Sequence, residues 1–401
     1  MTGASVRPRA CRARQALLAV VVAVFLLFGL NGRAPAHAGE LLPADAIDPG
    51  ACSLRLDIEG VGTVLACPPA GEAEGNASRL LWQKPGGMVE VIHSVEGMAF
   101  VNLLRGDLDG DSSPELVAVA RHPSSEDQVP FIFSERRQFA CLYPRDDEEE
   151  MSLVGLEITL VPAKEGTALC IRNRVDFHRL GPPDLFQSEL YRLVGDRLQK
   201  IGETLSAATH VHQKMNRAAL AFQRGEFLEA LRGYEAIPLA ELPREAQAEA
   251  LFNQAEARKY LKDFATADRL YGRLQREFAD SPLAEAARRE SERLAFRETA
   301  SAALGLYVDA SLLVSRAQWE QALALLNAYL ATQPTGPLAD HLLLLKGEAL
   351  IALGRTEEAL ATLRALLAGF PDSPVRQEAA QHLEELAGDP EESEAPAAGD
   401  R

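Results

Sequence analysis

Oxygen-bearing residues recur at alternate positions in Asp107-Leu108-Asp109-Gly110-Asp111-Ser112-Ser113-Pro114-Glu115. Carboxylates two residues apart, on a chain that Gly110 lets turn sharply, converge on one point. A hard cation that accepts about six to eight oxygens and tolerates flexible geometry, Ca2+, suits such a loop. Asp107, Asp109 and Asp111 would supply carboxylates, Ser113 its carbonyl, and Glu115 would close the shell around a structural ion. Two other readings stand beside this one: an Asp-rich turn without metal, and a hydrolase in which Asp107 and Asp109 act as an acid/base pair. The regular spacing favours the ion. His93, His122 and His178 are scattered without metal-ligand spacing, and no G-x-S-x-G, H-E-x-x-H or phosphate-cradling motif occurs. No catalytic residue is assigned, and the chain is read as a non-enzyme.

Sulfur chemistry is confined to the first half. Cys11 stands apart, leaving Cys52, Cys67, Cys141 and Cys170. An even number in a chain bound for an oxidising compartment points to two disulfides rather than a metal site, since no C-x-x-C is present. Pairs Cys52–Cys67 and Cys141–Cys170 would each close a short local loop, although three pairings are open.

The elements that must position these groups read as strands. Short apolar runs at 89–92, 100–104, 116–120, 131–133 and 156–161 are separated by Gly, Pro, Asp and Ser clusters, with the acidic run 146–150 as a solvated loop. The acidic motif, between runs 100–104 and 116–120, resembles the calcium loops of FG-GAP and integrin-type β-propeller repeats. Ser112 stands where that family has a second Gly, and Glu115 where it has Asp. A single copy implies a β-rich domain rather than a propeller. Trp82 is the sole tryptophan of this half, so a carbohydrate- or surface-binding role is an alternative resting on little.

From Ala207 the texture changes to long Ala/Leu/Glu/Arg segments. Four of them, at 224–231, 262–268, 317–323 and 354–360, share one register with anchors Ala230, Ala267, Ala322 and Ala359. Anchor spacings of 37, 55 and 37 residues set units one and three, and two and four, 92 residues apart. Phe278-Ala279-Asp280-Ser281-Pro282 returns at the same offset as Phe370-Pro371-Asp372-Ser373-Pro374, so a pair of repeats is duplicated. Each unit resembles a tetratricopeptide repeat. Gly347 stands at the close helix crossing, Gly354 at the turn, Ala359 at the interface, Leu363 at the bulky position and Pro371 past the helix end. Tyr234, Tyr271 and Leu326 share the bulky position, while Ala218, Ala255 and Ala310 replace Gly at the crossing. The resemblance extends to repeats of periplasmic envelope proteins, the outer-membrane assembly lipoproteins and the Tol–Pal-associated coordinator of cell division. It implies an all-α tetratricopeptide-like helical solenoid acting as a protein–protein adaptor.

In such a solenoid the first helix of each unit lines the concave face. The register puts Met215, Phe222, Phe252, Tyr260, Tyr307, Leu344 and Ile351 there, with Glu256, Lys259 and Glu348 among them. This is an apolar groove with acidic relief, suited to a protein or peptide partner such as an amphipathic helix. Residues 281–300 fit one added helix, whose Arg288 to Arg293 charges read as a solvated face.

The ends complete the division. Four arginines followed by the apolar run 16–30 and Ala36-His37-Ala38 have the layout of a secretory signal. No lipobox cysteine follows, so no stable membrane anchor is expected after cleavage, and the destination is periplasmic or secreted. The first 38 residues hold five arginines and no acid, so the net charge of −17 becomes −22 without them. Such a surface disfavours nucleic acid. The chain thus reads as a signal peptide at 1–38, a β-rich domain at 39–204, tetratricopeptide-like repeats at 205–388 and a disordered acidic tail at 389–401.

Overall fold

The computed structural model describes residues 41–42, 49–68, 77–144, 153–195 and 197–387. The signal-like segment 1–38, the acidic run 146–150 and the tail 389–401 lie outside the described residues.

The apolar runs of the first half form strands that pair with their sequence neighbours. They are β1 (Leu41–Leu42), β2 (Leu54–Ile58), β3 (Gly62–Cys67), β4 (Ala77–Gln83), β5 (Val89–Glu96), β6 (Ala99–Gly106), β7 (Glu115–Arg121), β8 (Gln128–Ser134), β9 (Ala140–Tyr143), β10 (Glu157–Pro162), β11 (Thr167–Val175), β12 (Leu185–Val194) and β13 (Arg197–Leu205). Three sheets result, ordered β1-β5-β4-β3-β2, β6-β7-β8-β9 and β10-β11-β12-β13. Their pairings are antiparallel.

The middle sheet explains why residues 116–120 are continuously apolar. Alternate side chains of a strand point to opposite faces. Leu116, Ala118 and Ala120 share a core with Val64 and Leu80 of the first sheet. Val117 and Val119 share another with Ile158, Leu169 and Ile171 of the third. A strand covered on both sides needs apolar residues at every position.

Cys52 and Cys67 form the expected disulfide, 15 residues apart across the β2–β3 hairpin. The second expected pair does not form. Cys141 lies on β9 of the middle sheet and Cys170 on β11 of the third, opposite Thr159 and Leu190. Proximity in sequence did not bring them to one edge.

The second half folds as ten α-helices among the described residues. They are α1 (Val211–Arg224), α2 (Phe227–Glu235), α3 (Arg244–Tyr260), α4 (Phe264–Glu277), α5 (Leu283–Leu294), α6 (Ser301–Ser315), α7 (Trp319–Thr332), α8 (Ala339–Ala352), α9 (Thr356–Gly369) and α10 (Arg376–Ala387). The 92-residue offset relates α1–α5 to α6–α10 in order. The added helix after the second unit is α5, and α10 is its counterpart. Ala267, Ala322 and Ala359 are fully buried, as is the bulky series Tyr271, Leu326 and Leu363. At Gly347 an added Cβ would lie 2.7 Å from the Leu363 side chain, so the missing side chain lets Leu363 pack closely across the α8–α9 crossing. No helix among the described residues is long and apolar enough to cross a membrane.

The chain divides into two compact units between Asn216 and Arg217, inside α1 rather than at the expected 204/205. Polar anchors on the first turns of α1 explain the shift. Asn216 Oδ1 accepts from the Phe177 and His178 amides (2.9 and 3.3 Å), and Gln213 Nε2 donates to the Asp184 carbonyl (3.0 Å).

Candidate functional site

Helix α3 carries Glu256 and Lys259 three residues apart, hence on one face. Lys259 is 5% exposed. Its Nζ donates to Glu256 Oε1 at 2.8 Å and to Glu290 Oε2 of α5 at 3.0 Å. Arg293 Nη1 donates to Glu290 Oε1 at 2.5 Å, and the Tyr271 hydroxyl of α4 donates to Glu256. The Arg293 guanidinium lies over the Tyr307 ring of α6, 5.6 Å from its centre. One buried polar network therefore ties four helices together. Burial alone would discharge these groups. Against it, Glu256 and Glu290 hold the Lys259 ammonium well above its ordinary pKa. Against the same burial, Lys259 and Arg293 hold the Glu290 carboxyl below its own. Burial, together with Glu256, pushes the Tyr271 phenol up, so it remains a donor.

Beside this network lies an aromatic cluster. Phe227 stacks on Tyr260 at 4.7 Å, Phe222 packs edge-on to Phe227 at 5.3 Å, and the Arg316 guanidinium covers Phe227 at 5.7 Å. Gly225 makes room for that arginine, because a Cβ there would lie 1.5 Å from Arg316 Nη2. Phe252 contacts Tyr271 at 5.7 Å.

Of the residues expected to line the groove, Phe222, Phe252, Tyr260 and Ile351 are half-buried. The other three need correction. Met215 is 0% exposed, Leu344 6% and Tyr307 8%, so they are core positions. Met215 sits on the part of α1 grouped with the strand-rich unit, Leu344 packs with Leu363 and Leu366, and Tyr307 packs in the α3–α8 core. Glu256 and Lys259 lie beneath the face rather than on it. A further correction concerns α5. Arg288 does pair in solvent with Glu285 and Glu292, but the Glu290 and Arg293 side chains are only 14% and 17% exposed. Sequence register alone does not mark Phe227, which stacks on Tyr260.

The acidic loop joins β6 to β7. Carboxylate oxygens of Asp107, Asp109 and Glu115 lie within 4.8 Å of one another. Glu115 is 3% exposed, and its Oε2 accepts from the Leu108 amide at 2.8 Å. Burial, outweighing that hydrogen bond and reinforced by the three aspartates, pushes its carboxyl up to about 7. Asp107 Oδ1 and Oδ2 accept from the Gly110 and Ser112 amides (2.7 and 3.1 Å). The Asp107 carbonyl accepts from Thr167 N at 2.7 Å, against Gly166, where a Cβ would lie 2.3 Å from that oxygen. Asp111 is turned elsewhere. Its Oδ2 accepts from Arg136 at 2.6 Å and its Oδ1 from the Ser113 amide at 2.7 Å. Three of the four expected carboxylates therefore converge: a hard-oxygen set of high negative charge, with a chemistry that fits Ca2+.

The tetratricopeptide-repeat family model matches residues 249–281 and 342–373. These segments contain most of α3 with α4, and most of α8 with α9: the two units that end in the duplicated Phe-x-Asp-Ser-Pro. No curated protein matches the chain. Among solved structures, the apo form of RapI is 16% identical over 44% of this chain and 48% of its own length, with a TM-score of 0.22. The MamA RS-1 ArsTM double mutant is 16% identical over 45% of this chain and 96% of its own (TM-score 0.18). MamA 41-end from Desulfovibrio magneticus RS-1 is 18% identical over the same shares (TM-score 0.17). This chain thus spans less than half of RapI. Its second half is a helical array that contains tetratricopeptide repeats at 249–281 and 342–373.

Proposed function

We infer that this protein is an exported, non-enzymatic scaffold whose repeat array captures a protein or peptide partner. The observation that carries the reading is the half-buried aromatic set Phe222, Phe252 and Tyr260 on the first helices of repeat units, underlain by a rigid buried charge network. Ring faces held in place by a satisfied network offer apolar area at small entropic cost, which suits an amphipathic helix or extended peptide. The net charge, −17 for the full chain and −22 without residues 1–38, favours a partner with a neutral or basic surface. Export rests on the basic start, the apolar run and Ala36-His37-Ala38, and implies a role in the cell envelope or outside it.

The test uses tagged full-length protein in its host. Phe252→Ala and Tyr260→Ala should lower recovery of the crosslinked partner at least tenfold while circular dichroism stays helical. Equal recovery from wild type and both variants defeats the groove. A mature N-terminus at Gly39 in an extracytoplasmic fraction supports export, and an intact leader in the cytoplasm defeats it.

The acidic loop is read as a structural Ca2+ site in the strand-rich unit. Calcium should raise, and a chelator lower, the thermal midpoint of that unit by several degrees. Asp107→Asn should abolish the response. A midpoint indifferent to both reagents removes the ion from this reading.

A further inference from the structure

The helical array presents one polar arrangement twice, and the second copy lacks its cation. In the first, the Lys259 ammonium lies between Glu256 and Glu290. Ninety-two residues on, these positions are Ile351, Glu348 and His382. The first glutamate is kept, the second has become histidine, and the residue that brought the positive charge is aliphatic. Glu378, one turn before His382 on α10, adds a second carboxylate to the same helix face. Ligand atoms of Glu348, Glu378 and His382 lie within 4.8 Å of one another, with His382 Nε2 3.7 Å from Glu348 Oε1. His382 is 9% exposed, and its Nε2 is buried without a hydrogen-bond partner. Its Nδ1 faces Glu385 Oε2 at 3.4 Å. A proton on Nδ1 directs the Nε2 lone pair at the two carboxylates, the orientation a metal-ligating histidine takes from a carboxylate behind it.

We propose that Glu348, Glu378 and His382 form a binding site for a divalent first-row cation, with Zn2+ the best fit. One imidazole and two carboxylates are a donor set that calcium does not select. At metal–ligand distances of about 2.0–2.1 Å, tetrahedral ligand atoms lie about 3.4 Å apart, a spacing that His382 Nε2 and Glu348 Oε1 nearly meet at 3.7 Å and that the exposed Glu378 side chain can reach by a change of rotamer. The exposed edge at Glu378 leaves the fourth position to water. The ion stands where the lysine ammonium stands in the first copy, and it fastens α10 to α8. The competing occupant is a proton: an imidazolium between Glu348 and Glu385 would place one positive charge at the same point.

Zn2+ is titrated calorimetrically into chelator-treated full-length protein, above the pH at which an ordinary histidine is protonated, with Co2+ absorption as a second readout. One site per chain is expected, with Co2+ bands that indicate nitrogen ligation. His382→Gln and Glu348→Gln should each weaken binding at least tenfold, and Asp107→Asn should leave it unchanged. Glu378→Gln alters an exposed side chain, so the same loss there cannot come from misfolding. Absence of binding at a hundredfold excess of Zn2+, or equal affinity in all three site variants, overturns the proposal in favour of the imidazolium.

Discussion

A lysine ammonium only 5% exposed persists as a charge because two carboxylates face it. Removing one partner of such a group costs far more than the group contributes when intact, because the remaining charges stay buried and uncompensated. Lys259→Met should therefore lower the unfolding free energy by about 3–5 kcal/mol in urea titrations. A loss under about 1 kcal/mol would mean that water reaches Glu256 and Glu290 and the network is a surface feature. The sequence register set Glu256 and Lys259 among groove-lining residues although both are largely buried, and it left Glu290 in a run of charges read as solvated. The signal was present in the spacing. Glu290 follows Ala287 by three residues and precedes Leu294 by four, so it shares their inward stripe, and both of these are fully buried. The number of charges in Arg288 to Arg293 masked the position of one of them. The cysteines teach a related lesson. Cys52 and Cys67 are matched by hairpin register, whereas Cys141 and Cys170 belong to different sheets, which short separation could not disclose.

The duplicated segments define turns as well as helices. Gly225, Lys262, Ala317 and Gly354 occupy the same place in successive units and all adopt positive φ, between 56° and 78°. A side chain in the left-handed region costs about 1–2 kcal/mol relative to glycine. Ala317 is exposed, so Ala317→Gly should stabilise the array by about 0.5–1 kcal/mol, less the extra freedom glycine gives the unfolded chain. Thermal melts check it, and a lower midpoint would show that unfolded-state entropy wins. The Phe-x-Asp-Ser-Pro ends have diverged in their partners. Ser373 Oγ donates to Asp340 Oδ2 at 2.6 Å, tying the end of the fourth unit to the start of α8. In the first copy the matching position is Ala248, and Asp280 pairs with Arg244 instead. Burial would raise the Asp340 carboxyl, but hydrogen bonds from His341 and Ser373 outweigh it and hold the group at about 2. A carboxyl depressed in the folded state adds stability that is complete above its unfolded value and disappears as pH falls towards the folded one. Ser373→Ala should thus cost about 1–2 kcal/mol at neutral pH and flatten the decline between about pH 4 and pH 2. Acid titrations that superimpose for wild type and variant would remove Ser373 from that account. The motif's recurrence was legible from spacing; its bond to Asp340 was not, because the partner lies 33 residues upstream and is missing from the other copy.

At the scale of the whole molecule, two fold classes follow from two periodicities. Alternating or continuous short apolar runs made stacked antiparallel sheets, and repeated alanine anchors made paired helices. What periodicity could not supply was the direction of each face. Several residues assigned to a groove turned out to be core, since an apolar side chain on the first helix of a unit serves its neighbour as readily as a guest. The property least dependent on such detail is charge. A chain of 58 acidic and 41 basic residues carries −17 overall, and this field extends about 8–10 Å into solution at physiological salt. A partner of neutral or basic surface would be drawn in by that field and then held by aromatic contacts that salt does not screen. Association and dissociation should therefore respond differently. In stopped-flow measurements with the captured partner, raising NaCl from about 0.05 M to about 0.5 M should slow association tenfold or more. Dissociation should change less than about threefold, because interface mutations rather than ionic strength govern it when the contact is apolar. Tyr260→Ala should show the reverse pattern, with faster release and a nearly unchanged salt slope for association. If salt instead accelerated release while leaving association constant, charge pairs would be holding the partner, and Phe222, Phe252 and Tyr260 would be internal packing of the array with no guest to meet.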